Sequence, residues 1–211
     1  MALAVAEQLG YTGDTVQWVR TTFDEAIQPG PKNFDFNLQQ YSITDERKEF
    51  VSFSDPYYTT NQAVVGFADS PAAGATSVAD LQGLKFGAQA GTTSLEFIET
   101  VIQPEQEPFV YDDNAGAKAA LEADQIDAIV VDLPTAFYIS AVEIEGTAVI
   151  GQFPADAGGT TDEFGMVFEL DNPLVGCVNE ALAALEADGT LDAIEQQWLS
   201  DNTGAPVISV G

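Results

Sequence analysis

The stretch AGAKAALEADQIDAIVVDLP, residues 115–134, decides the fold. AGAKAALEAD reads as a helix. IDAIVV, residues 126–131, is apolar and β-branched, which suits a central parallel strand buried on both faces. That run stops abruptly at Asp132, and Pro134 then opens another helix. The same helix–strand rhythm continues outward in both directions. Upstream lie strands in PFVY (108–111), LKFGA (84–88), QAVVGF (62–67) and FVSFS (50–54), and an alternating strand in FDFNLQQ (34–40). Between them stand a helix from the capping-box spacing Thr93-Ser94-Leu95-Glu96 to about residue 102, and a brief one capped by residues 77–80. Thr22-Phe23-Asp24-Glu25 has the same capping spacing, the alternation of DTVQWVR (14–20) predicts a further strand, and MALAVAEQLG is an amphipathic helix ending at Gly10. Downstream come strands in TAVIG (147–151) and FGMVFEL (164–170) and two helices, over about 173–188 and 190–198. Short strands alternating with helices throughout give an α/β fold.

Composition narrows the function. A chain of 211 residues is one large domain or two small lobes, and 45% hydrophobic content is that of a globular chain. No apolar run approaches the roughly 18 residues of a membrane span, so this segment does not insert in a membrane. With 34 acidic and six basic residues the net charge is −28. That excludes the basic footprint a nucleic-acid partner needs, disfavours anionic lipid, and serves solubility. Histidine is absent, which removes histidine-based triads, general bases and metal ligands. No metal or organic cofactor is implied. The one cysteine, Cys177, lies in the apolar helical pattern LVGCVNEALAAL and is expected to be a buried structural residue.

In open α/β sheets ligands sit beyond the carboxyl ends of strands. Three segments put polar groups there: Ser42, Thr44 and Arg47 after FDFNLQQ, GTTS (91–94) after LKFGA, and Asp132 after IDAIVV. Arg47 is one of only two arginines. It is either an exposed partner of Asp45 or Glu46, or a planar fork for a carboxylate. GTTS allows a tight turn at Gly91 and a helix cap at Thr93. The following N–H groups either just begin a helix or also attract an anion. Asp132 either caps the Pro134 helix or meets a ligand cation. Phe23 is a core residue or an aromatic wall. Together an arginine, a helix start, a carboxylate, a serine hydroxyl and an aromatic describe a receptor for a zwitterion.

DFNLQQYSITDERKEFVSFSDPYY, LKFGAQAGTTSLEFI, ALEADQIDAIVVD and LAALEADGTLDAIEQQWL, in this order, resemble the polar amino acid-binding proteins of bacterial ABC importers, the family 3 solute-binding proteins. The resemblance implies a type II periplasmic-binding fold: two α/β lobes joined by two crossovers that close on an amino acid and deliver it to ABC permease subunits. It implies that Arg47 grips the ligand α-carboxylate, with Thr93 and Ser94 donating to the same group. Ser42 and Asp132 accept from the α-ammonium, and Phe23 stacks on the ligand side chain. Gln40 offers a backbone carbonyl, and Gln89 lies where side-chain specificity is read. Crossovers near 62–67 and 165–168 would divide the chain into lobe 1 (1–64 and 166–211) and lobe 2 (65–165). Members normally begin with a strand upstream of the first helix. By this resemblance lobe 1 lacks its usual N-terminal strand, and a signal peptide and any lipidated cysteine lie upstream, in keeping with a periplasmic or extracellular protein. Two other readings share the pattern: a shortened non-binding or interaction form, and a dehydratase in which Asp132 or Glu163 serves as the acid.

Overall fold

The computed structural model describes residues 1–159, 161–199 and 204–210. In chain order its elements are α1 (Ala2–Gln8), α2 (Phe23–Ile27), β1 (Asn37–Ser42), α3 (Asp45–Lys48), β2 (Val51–Phe53), β3 (Tyr58–Thr60), β4 (Gln62–Phe67), α4 (Val78–Leu81) and β5 (Phe86–Gln89). Then follow α5 (Thr93–Phe97), β6 (Phe109–Tyr111), α6 (Asn114–Glu122), β7 (Ala128–Asp132), α7 (Leu133–Tyr138), β8 (Thr147–Gln152), β9 (Asp162–Glu169), α8 (Leu174–Ala187) and α9 (Thr190–Leu199). The chain forms two compact units, Met1–Thr59 with Glu163–Asp201, and Thr60–Asp162 with Asn202–Gly211.

The first unit is built around β9, which pairs antiparallel with β1 and β2 and also carries β3. Successive β9 side chains point to opposite faces. Met166 and Phe168 join Val5 of α1 and Val178, Ala181, Leu182 and Leu185 of α8 in one core. Val167 joins Ala26, Tyr41 and Val51 in the other. The helix face buried by α8 passes beside Cys177, which is exposed. The expectation of a buried cysteine therefore fails by a single position on the helical wheel. Thr22 opens α2 with both capping-box bonds in place: Glu25 N donates to Thr22 Oγ1 and Thr22 N donates to Glu25 Oε2. DTVQWVR is not a strand. A short 3-10 turn at Gly13–Thr15 leads into irregular chain, with Trp18 72% and Val19 47% exposed. Alternation specifies a strand only where a neighbouring strand takes up its backbone, and none among the described strands pairs with this segment.

The second unit has a five-stranded sheet in the order β6-β5-β7-β4-β8. The strand β5 runs parallel to β6 and β7, whereas β4 is antiparallel to β7 and β8. Both faces are covered, which explains why β4 and β7 read as continuous apolar runs. Val64, Ala128 and Val130 share one core with Phe97 and Ile98; Ala63, Val65, Ile129 and Val131 share the other with Ala117, Leu121 and Ile139.

Two features of the chain path differ from the sequence reading. The units divide after Thr59 and after Asp162, ahead of 62–67 and 165–168, which are already strand. Residues 204–210 belong to the second unit and not with 166–199. Ile208 N donates to Gln152 O at 2.8 Å, Ser209 N to Thr76 O at 2.9 Å, and Ile208 is fully buried in the second unit's core. Gly151 makes the room, since a Cβ there would stand 2.6 Å from Ile208.

Candidate functional site

The first group of polar side chains lies in the first unit and is assembled by local chain. Ser42 ends β1, and Thr44 caps α3 by accepting from Arg47 N at 3.2 Å. The cap starts a helix only four residues long, and within it the two neighbouring cations part company. Lys48 reaches Asp45 at 3.1 Å on the surface, a solvated pair worth little. Arg47 turns inward to 8% exposure, and its Nη1 donates to Ser42 O at 2.7 Å. Burial at this level sets aside the reading of Arg47 as an exposed ion-pair residue. The guanidinium carbon lies 5.4 Å from the Phe23 ring centroid, a cation–π contact. Phe23 in turn stacks on Tyr41 with centroids 4.4 Å apart. The Tyr41 hydroxyl donates to Phe23 O and is 3.0 Å from Gln39 Oε1, and its burial pushes the phenol above its ordinary range. Phe23 is thus half-exposed and belongs to the same cluster as Arg47. Gln40 is exposed, with φ 57°, at the point where the β1–β9 register shifts.

The second group lies in the second unit. The turn at Gly91 takes φ 67°, a left-handed conformation that glycine adopts without strain. Thr92, not Thr93, is then the helix cap. It has extended backbone, accepts from Leu95 N at 3.2 Å and donates to Gln89 O at 2.7 Å. Either threonine fits the sequence pattern. The tight turn decides, because it brings Thr92 to the extended residue before the first helical one. Thr93 and Ser94 are therefore the first two residues of α5, which continues into a wider helical turn at Ile98–Ile102. The buried Gln89 side chain accepts from Asn114 N at 3.1 Å, so its carbonyl is committed to the start of α6.

Asp132 caps α7, accepting from Thr135 N at 3.1 Å and from Thr135 Oγ1 at 3.0 Å. The cap is geometry and does not exhaust a carboxylate, which has about four acceptor positions. Burial pushes its carboxyl up to about 6, against the lowering effect of the Thr135 bonds and with a further push from the negative charge of Asp162.

Two residues missed in the sequence complete this group. Gln62, at the head of β4, is 4% exposed and stands opposite Asp132 in the β4–β7 ladder. Its Nε2 donates to Asp162 Oδ2 at 2.7 Å and lies 3.4 Å from Thr93 Oγ1, and its Oε1 accepts from Ser94 Oγ at 2.7 Å. The period of two explains the placement. Gln62 lies on the face of Val64, and Asp132 on the face of Val130, the face that packs against α5. A polar residue opening the apolar run QAVVGF is the signal that could have found Gln62, by the reasoning that singled out Asp132.

The chain matches known proteins over nearly its whole length. It is 32% identical over 170 residues to an L-cystine-binding protein of Escherichia coli (strain K12), an alignment covering 79% of this chain and 60% of that relative. To arginine-binding protein 1 of an ABC transporter, from the same strain, it is 30% identical over 79% of this chain and 67% of the relative. Among solved structures, an ancestral arginine-binding protein bound to arginine superposes with a TM-score of 0.76 at 29% identity, over 94% of this chain and 85% of that one. The two-sheet α/β architecture is that of type II periplasmic-binding proteins, and the relatives are binding proteins, not enzymes. Residues 1–201 match the model of one family, and the chain belongs to it: the bacterial extracellular solute-binding proteins, family 3.

Proposed function

We propose that this chain binds a free α-amino acid outside the cytoplasmic membrane and hands it to the permease subunits of an ABC importer. The observation that carries the reading is Arg47, a buried arginine fixed by Ser42 O and the Phe23 ring. Desolvating a guanidinium is costly, and a fold retains one where its planar fork serves a carboxylate. On this reading Arg47 takes the ligand α-carboxylate, with the backbone N–H groups of Thr93 and Ser94 as further donors. Asp132 and the Ser42 oxygens accept from the α-ammonium. Phe23 offers the exposed part of its ring to the ligand side chain, Gln40 offers a backbone carbonyl, and Gln89 bears on side-chain specificity. Several relatives are named for arginine, and others for cystine, histidine or glutamate. A net charge of −28 steers cations toward the surface, so arginine heads the candidates. Among the described residues no helix is long and apolar enough to cross a membrane.

The test is a thermal-shift screen against the twenty amino acids and cystine, each at millimolar concentration or, for cystine, near saturation. A ligand at about 1,000 times its Kd adds roughly 4.1 kcal/mol, several degrees for a chain of this size. A shift confined to one chemical class supports amino-acid binding. A cooperative melt that no amino acid moves overturns it.

A further inference from the structure

The Gln62 side chain makes contacts that neither capping nor core packing requires. It sits at the head of β4, two residues after the second unit begins, and reaches Asp162, the last residue before the chain leaves that unit. The same amide meets the first two residues of α5. One side chain thus joins the start of a helix to both ends of the long segment that forms most of the unit.

The chemistry of the partners fixes which way the amide points. An ionised carboxylate accepts hydrogen bonds and cannot donate them, so at 2.7 Å from Asp162 Oδ2 only the NH2 end of Gln62 is tolerable. The carbonyl end then faces Ser94 Oγ, also at 2.7 Å, and takes its hydrogen. Ser94 has a single hydroxyl hydrogen, which this contact commits. Asp132 stands opposite Gln62 in the ladder, and the charge of Asp162 reaches it. The two carboxylates therefore stand around an amide that can donate to one of them and at the same time orient the α5 start.

We infer that Gln62 is a positioning residue for the ligand headgroup, orienting Ser94 and Thr93 at the start of α5 and holding Asp162 beside Asp132. This rests on the amino-acid reading above and adds a residue to it that does not itself touch the ligand. It also redefines Ser94, which serves through its backbone N–H and hydroxyl oxygen and not through its hydroxyl hydrogen.

The experiment measures amino-acid affinity by calorimetry between pH 5 and pH 8 for the wild-type chain, Gln62→Leu and Gln62→Glu. The probe is L-arginine, or the amino acid of largest shift if the screen selects another. Gln62→Leu keeps the bulk and removes both ends of the amide. It weakens binding about tenfold, by a factor that does not change with pH. Gln62→Glu gives the sharper result. Ionised, the introduced carboxyl repels Asp162; protonated, it donates to Asp162 and accepts from Ser94 as the amide does. Burial beside a like charge raises its titration into the experimental range. Among the described residues the charged groups facing position 62 are Asp162 on β9 and Asp132 on β7. Residues 93 and 94 of α5 contribute hydroxyls, its Glu96 is exposed, and β8 faces it with uncharged residues. Because Asp132 titrates in the wild type as well, the quantity read is the ratio of variant to wild-type Kd at each pH. For Gln62→Glu that ratio is expected to be about tenfold or more at pH 8 and to close to within about threefold at pH 5. A Gln62→Glu ratio independent of pH, or a Gln62→Leu chain that binds within twofold of wild type, overturns the positioning role alone. A wild-type chain that binds no amino acid overturns the ligand reading, and this role with it.

Discussion

The two polar groups are built in opposite ways. Around Arg47 the hydrogen-bond partners are near in sequence: Thr44 caps its helix and Ser42 O accepts from its Nη1, three and five residues away, while the Phe23 ring comes from an earlier helix. Around Gln62 they are distant, with Ser94 32 and Asp162 100 residues away, although Asp132 opposite it is itself held by Thr135 on the next turn of chain. The hydrogen bonds that hold Arg47 are a property of a short peptide that a core then buries. The second group exists only once five strands and α5 have assembled. A local group is legible in a sequence and tolerates changes elsewhere; of the assembled group the strand-end and helix-start members Asp132, Thr93 and Ser94 are legible, whereas Gln62 and Asp162, joined across the sheet, depend on its register.

The largest effect expected is at Arg47. If the local group carries the ligand, Arg47→Ala lowers amino-acid affinity by about 100-fold or more, the loss of two charge-assisted hydrogen bonds. Calorimetry reads the affinity and a melting curve shows that the fold remains. Unchanged affinity would remove Arg47 from the site and leave the assembled group as the only candidate.

Ile208→Ala tests how far assembly reaches along the chain. Emptying a fully buried position in the second unit's core costs about 2–4 kcal/mol. Chemical denaturation measures it, and a cost below about 0.5 kcal/mol would show that residues 204–210 contribute little to that core.

Asp132→Asn separates cap from charge. Asparagine caps a helix about as well as aspartate, so the melting temperature at neutral pH stays within a few degrees while affinity drops about tenfold. The pH dependence follows from the raised carboxyl. Its value moves from 3.8 to about 6 in the folded chain, so between those values the folded state holds more protons than the unfolded one. The contribution of Asp132 to stability therefore falls as pH rises through that window and levels off above it. Affinity for an ammonium does the reverse, rising toward pH 6 as the carboxylate ionises. Asp132→Asn should remove this group's contribution to both slopes, and a variant whose slopes match those of the wild type would assign them to another group.

The smallest effect distinguishes neighbouring threonines. Thr92→Ala loses the α5 cap, about 1 kcal/mol, or roughly 2–4 °C in melting temperature. Thr93→Ala should cost clearly less in the absence of ligand. Equal losses would mean that the cap is shared.

Read alone, the sequence determined the alternation of strands and helices, the two-faced burial of β7, the α2 capping box and the family. It also determined the members of the local group, because helix caps and strand ends are decided within a few residues. Tertiary structure decided the rest. DTVQWVR alternates as a strand does, yet pairing needs a partner that periodicity cannot supply. PVISV carries no mark of its partner, since the cavity it fills is made by Gly151, more than fifty positions upstream. Cys177 lies one position off the buried face of α8, a rotation of the helix that only its packing against β9 fixes. The Ser94–Gln62–Asp162 chain stayed hidden for the same reason: a side-chain hydrogen bond is set by distance in space, and the strand register that creates that distance is a property of the assembled sheet.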